Sequence, residues 1–134
     1  MSIEIGMTGR AETVVTDRNT ALAVGSGALP VFATPMMAAL MEAAAMDAVA
    51  TGLEEGQGTV GTRLDITHDA ATPVGMKVRA EARVTAVDGR RISFTVSAWD
   101  EAGPIGSGTH QRCIISNEKF LARTNQKKEA PHVN

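Results

Sequence analysis

Tyrosine is absent from this chain of 134 residues, which holds only three phenylalanines and one tryptophan. Its apolar residues are mostly Ala, Val and Met, with seven Met in all. Such side chains pack tightly but cover little area each, so burial against a second copy of the chain is expected. With a lone cysteine, Cys113, no intrachain disulfide forms. Lying between Arg112 and Ile114 in a strand-like run, it reads as a small buried hydrophobe. No long apolar run occurs, and Met1–Arg10 carries Glu4 but no stretch fit for a secretory signal, so the expectation is a cytoplasmic protein with no membrane partner. Neither sign of charge dominates: 13 Lys and Arg stand against 15 Asp and Glu, for a net charge of -2. There is no sustained basic face of the kind that neutralises nucleic-acid phosphates, so no nucleic-acid partner is expected. A phosphate-binding loop, a nucleophile elbow and a Cys/His/acid cluster at metal-ligand spacing are all missing, and neither a metal nor a redox cofactor is expected.

What is present predicts one domain over 1–134, with a polar tail from about 124. Arg10–Thr16 is a short β-like run, and Thr20–Pro30 (TALAVGSGALP) is a glycine-punctuated loop. Thr34 is placed to cap a helix, Pro35 suits the first helical position, and no breaker follows before Gly52. A helix over 35–50 would be about 24 Å long at roughly 1.5 Å per residue. Its only charges are Glu42 and Asp47, so burial on nearly every side is expected. From Gly58 onward the period is two. Leu64, Ile66 and His68 share one face of one run, and Val78, Ala80, Ala82 and Val84 one face of the next. Asp88-Gly89 marks a hairpin, and Ile92, Phe94, Val96 and Ala98 share a face of the strand after it. A fourth run, ending Cys113-Ile114-Ile115, follows Ala102-Gly103, so these four strands are expected to form an antiparallel meander. The fold class is α+β: a five-stranded antiparallel sheet wrapped around one long central helix.

Two ionisable residues break the apolar pattern. Glu42 sits mid-helix, and its neighbours one turn away are Ala38, Ala39, Ala45 and Met46, none of which can neutralise it. It either reaches an edge or a strand arginine, or is a perturbed functional acid. His68 shares the inward face of Leu64 and Ile66, where a satisfied core histidine and a catalytic one are both open readings. Together, a Glu and a His in one small core can divide nucleophilic or base work and proton delivery. Thr34 is accounted for by capping; a functional reading adds that its hydroxyl and nearby helix N–H groups can stabilise an oxyanion. Gly106 and Gly108 suggest close backbone approach by a ligand or another chain, Gly61 the same, and His110 reads as a surface residue or a second titrating group.

The segments VFATPMMAALMEAAA, GTRLDITHDAATPVGM, DGRRISFTVSAWD and IGSGTHQRCII resemble, in order and spacing, the fluoroacetyl-CoA thioesterase type of the hotdog superfamily. The resemblance implies the hotdog fold, a homodimer (or a pair of dimers) with two interface sites, acyl-CoA as substrate and no cofactor beyond it. It assigns catalysis to Thr34, Glu42 and His68, and places Gly61 against the acyl group. Hydrolysis of a short acyl-CoA is the implied reaction. The alternatives are a non-catalytic acyl-CoA sensor and an acyl-CoA hydratase or dehydratase. Arg112 and Arg91 are candidate partners for CoA phosphates. Two departures stand out. The loop before the helix, GSGALP, lacks the bulky aromatics of the fluoroacetyl-specific form, and Pro35 replaces a usual glycine, leaving any oxyanion N–H to Met36, Met37 or elsewhere.

Overall fold

The computed structural model describes residues 2–129. In chain order the elements are β1 (Thr8–Val14), α1 (Ala21–Val24), α2 (Thr34–Val49), β2 (Gln57–His68), β3 (Lys77–Asp88), β4 (Arg91–Asp100), β5 (Pro104–Ser116) and α3 (Asn117–Asn125). One antiparallel sheet runs β1-β3-β4-β5-β2, with α2 packed across its inner face, as expected. The period-two patterns account for β3 and β4: Val78, Ala80, Ala82 and Val84 face Ile92, Phe94, Val96 and Ala98 in the core. Onto them α2 lays Met37, Met41, Ala44, Ala45, Ala48 and Val49. Small side chains let the helix sit low on the sheet. At Gly9 of β1 a Cβ would run into the backbone of Ala44 and Ala48, and next to it the Arg10 N–H donates to Asp47 Oδ2 at 2.9 Å.

Two expectations are corrected. The strands after the helix do not form a four-strand meander. Asp69–Met76, longer than a hairpin loop, carries the chain away from β2, which lies at the far edge against β5. Secondly, α2 is not covered on every side: Pro35, Ala39, Ala43, Met46 and Ala50 form an open, apolar stripe, with Met46 52% exposed. The polar chain beyond 124 continues α3 to Asn125 and adds a 3₁₀ turn at Gln126–Lys128, while 130–134 lie outside the described residues.

A bulge in β2 decides which of its side chains meet the helix. Gly61 opposes Arg112 and Arg63 opposes Gln111, so Thr62 falls out of the register with β5 and reaches it through its hydroxyl, which donates to the Gln111 carbonyl at 3.2 Å. The extra residue switches the inward face from odd to even numbers. Thr59 and Gly61 face the helix on one side of the bulge, and Leu64, Ile66 and His68 on the other.

Candidate active site

The start of α2 supplies the first group of polar atoms. The N-cap is Ala33, so Thr34 is already helical and its hydroxyl caps nothing, contrary to the capping expectation. That hydroxyl lies 2.7 Å from His68 Nδ1, at the end of β2. His68 Nε2 is buried and has no hydrogen-bond partner among the described residues. Burial holds this imidazole below its ordinary pKa, partly opposed by the Asp69 charge and the Ala70 backbone, which keeps it neutral near pH 7 and competent to take a proton. Around the pair is an open recess of ≈ 200 Å³ lined by Ala21, Ser26, Val31, Phe32 and Ala71. Met36 and Met37 cannot supply an oxyanion donor, because both N–H groups return to the Ala33 carbonyl. Thr34, with its own N–H and hydroxyl, is what the helix start presents.

The second group gathers on Glu42. The carboxylate is neither fully buried nor alone: its side chain is 41% exposed, and Oε2 accepts from Arg112 Nη1 at 3.2 Å. Arg112 is 4% exposed and not on a solvated strand face. Its Nε donates to Thr59 Oγ1 at 2.8 Å and its Nη2 to the Thr59 carbonyl at 3.0 Å. So engaged, its guanidinium is not presented to a CoA phosphate on the surface. Arg91 is exposed, beside an open groove of ≈ 510 Å³ shared with Arg63 and Arg90. Gly61 forms the floor under the carboxylate, since a Cβ there would stand 2.6 Å from Glu42 Oε2.

His110 is the residue that sequence reasoning misplaced. It is 1% exposed, stacked on Phe94 with ring centroids 5.8 Å apart, and its Nε2 is 3.2 Å from Arg112 Nη1. The signal was the alternation Gly106, Gly108, His110, Arg112, one inward face of β5. The two glycines admit no ligand; a Cβ at either would strike the β2 backbone, at Thr67 or Asp65. Cys113, on the other face, is half-buried.

Thr34 and Glu42 stand eight residues apart on one helix, about 12 Å at 1.5 Å per residue. The chain thus carries a hydroxyl–imidazole pair at one end of this stretch and a carboxylate at the other. Among the described residues no hydrogen bond joins Glu42 to His68, and no group of His, Cys, Asp and Glu could hold a metal ion.

Comparison with known proteins supplies the family. The model of the fluoroacetyl-CoA-specific thioesterase family matches residues 15–118. The fluoroacetyl-CoA thioesterase of Streptantibioticus cattleyicolor is 50% identical over 100 residues, 75% of this chain and 72% of that one. A crystal structure of a point mutant of the fluoroacetyl-CoA-specific thioesterase FlK superposes with a TM-score of 0.88 at 41% identity, covering 95% of this chain and 98% of FlK. A Thermus thermophilus protein of the thioesterase superfamily gives a TM-score of 0.88 at 34% identity, covering 96% and 95% of the two chains. The fold is the hotdog fold, and the chain belongs to the fluoroacetyl-CoA-specific thioesterase family.

Proposed function

We propose that this protein is an acyl-CoA thioesterase that hydrolyses a short acyl-CoA to free acid and CoA. It does so as a homodimer in which each site takes Glu42 from one chain and Thr34 with His68 from the other. The observation that carries this reading is the division of polar groups along α2. The two half-sites share the β2 side of that helix, yet lie too far apart in one chain to act on one carbonyl.

Two features of the single chain favour the pairing. β2 is a 12-residue edge strand with one side unpaired, and the stripe Ala39, Ala43, Met46 lies open beside it. A two-fold axis pairs like surfaces. With Thr62 bulged out of the count, Gly61 and His68 each lie three paired positions from Asp65, so antiparallel pairing of two β2 edges centred on Asp65 would set Gly61 opposite the partner's His68, both on the inward face. Glu42, resting on Gly61, then stands beside the partner's Thr34.

In such a site Glu42 acts on the thioester carbonyl, as base toward water or as nucleophile. The partner's His68, neutral and held at Nδ1 by Thr34, takes at Nε2 the proton that water gives up, directly or by way of Glu42, and passes it to the departing sulfur. The C–S bond breaks as the new C–O bond forms, water hydrolyses the acyl–Glu42 anhydride where Glu42 is the nucleophile, and acid and CoA thiol leave. The small recess suits a short acyl chain, and a cytoplasmic location goes with a free thiol at Cys113.

Subunit complementation tests the shared site. Glu42→Gln and His68→Ala dimers should each lose about 100-fold in turnover. Mixed and allowed to exchange, they should recover about a quarter of wild-type activity, since half the dimers are mixed and each of those has one intact site. No recovery despite proven exchange, or a monomer mass in light scattering, overturns the shared site. A wild-type protein that binds acyl-CoA but releases no thiol overturns the hydrolase.

A further inference from the structure

Arg112 spends its donors in an unusual way for an ion-paired arginine. His110 Nδ1 lies 2.7 Å from the Arg63 carbonyl, and Nε2 lies 3.2 Å from Arg112 Nη1. A carbonyl only accepts and a guanidinium only donates. His110 therefore carries its proton on Nδ1, offers a lone pair at Nε2 and is neutral. Burial, together with the Arg112 charge, holds its pKa below the ordinary value, against the pull of the Arg63 backbone and Glu42. Of the two Nη1 hydrogens one goes to His110 and the other to Glu42, while Nε and Nη2 are tied to Thr59. The guanidinium is thus clamped by Thr59 and His110 independently of the carboxylate it serves. Glu42 is gripped through Oε2 alone, and Gly61 closes the space beneath that oxygen.

We propose that Arg112, clamped by His110 and Thr59, is a positioning residue that sets the direction of the Glu42 carboxylate, fixing Oε2 so that Oε1 is the oxygen that reacts. This rests on Glu42 being the reacting carboxylate. An isolated pair between a helix and a strand would leave the carboxylate free to swing about its long side chain. The buried arginine also has a desolvation cost to recover, which the bonds to Thr59 and His110 help to offset. A flexible ammonium has no planar fork to divide among Thr59, His110 and Glu42, so lysine is not an equivalent residue here.

The test combines kinetics with structure. Arg112→Lys keeps the charge and Arg112→Ala opens the space, and both should remain dimeric. In each, kcat should fall by about 100-fold, the scale of a misplacement near 1 Å, with KM changed less than about threefold. Free guanidinium should restore part of the kcat of Arg112→Ala and none of that of Glu42→Gln. Wild-type kcat in Arg112→Lys overturns the proposal, as does a rise in KM that accounts for the whole loss, which would make Arg112 a substrate contact. Crystal structures separate this proposal from the hydrolase reading. Whatever the activity, a Glu42 carboxylate that keeps one unchanged orientation in Arg112→Ala shows that the arginine does not position it.

Discussion

Gly61→Ala adds one methyl group where the structure has least room for it. The new Cβ would stand 2.6 Å from Glu42 Oε2, and 3.3 Å from both Arg112 Nη1 and His110 Cε1. Ordinary contacts begin near 3.4 Å, so the carboxylate must retreat by roughly 0.8 Å while Arg112 and His110 give by about a tenth. It can retreat, because it is the end of a flexible, partly exposed side chain, so the fold should survive. The backbone is no obstacle, since Gly61 is not among the residues with positive φ. Alanine also restricts the unfolded chain, which favours the folded state by about 0.4–1 kcal/mol at a compatible site. Stability should therefore hold or rise slightly, while a reacting group displaced by nearly 1 Å should lose about 100-fold in kcat. That is about 2.7 kcal/mol of transition-state stabilisation. The assay is release of free thiol from the best acyl-CoA, with melting temperature and dimer mass measured alongside. A kcat within about threefold of wild type refutes the argument that catalysis needs the carboxylate where Gly61 lets it lie. A parallel loss of melting temperature assigns the effect to folding instead.

Acid should destabilise the protein through two imidazoles, the buried His110 and the half-buried His68. His68 and His110 are both held below the ordinary 6.5, so as pH falls below that value the unfolded chain takes up protons that the folded chain refuses. Their contribution is present above about pH 6.5 and lost as pH falls through the folded values. The urea midpoint should fall between about pH 7 and 5, less so in His68→Ala, and equal slopes in the two proteins would refute the assignment to His68. Thr34→Val removes the hydroxyl on His68 Nδ1 but no helix cap. It should cost less than about 0.5 kcal/mol of stability and about 10- to 100-fold in kcat, with Thr34→Ser close to wild type. A stability loss of about 1 kcal/mol or more would show that the hydroxyl caps the helix after all. The recess beside Thr34 is lined by Val31, Ala21 and Ala71, and among the described residues Phe32 is the one Phe, Tyr or Trp side chain on it. Selectivity across acyl-CoAs should therefore be graded, by about 10 to 200-fold per methylene in kcat/KM. A preference for fluoroacetyl-CoA over acetyl-CoA by several orders of magnitude would refute that.

Periodicity located the helix and the half-buried strands because it records which side chains are apolar, and Glu42 and His68 stood out because they break it. It carries no information on what lies opposite. Four facts decide the candidate site: Thr62 is extra, Gly61 faces Arg112, β2 runs beside β5, and α2 starts at Thr34 after an Ala33 cap. The first three are matters of register or strand order, and the last is a matter of where a helix begins. Thr34 looked sufficient as a cap because Thr-Pro before an apolar run is a good local start. The chain begins its helix one residue sooner, which frees the hydroxyl for an imidazole thirty-four residues away in sequence. From sequence Arg112 reads as a partner for CoA phosphates, and His110 as a surface residue or a second titrating group, for a related reason. A charged residue in an alternating strand is assigned to water by default. Here the bulge at Thr62 turns Thr59 and Gly61 inward beneath Glu42, so the arginine finds buried acceptors on the face where a core side chain would otherwise stand. The scarcity of aromatics was legible and points the same way. Small side chains bring α2 down onto the sheet but leave Ala39, Ala43 and Met46 uncovered, on the side of the molecule where Glu42 and the Thr34–His68 pair wait about 12 Å apart. In the proposed dimer, covering that stripe with a second chain and completing the site are one geometric requirement.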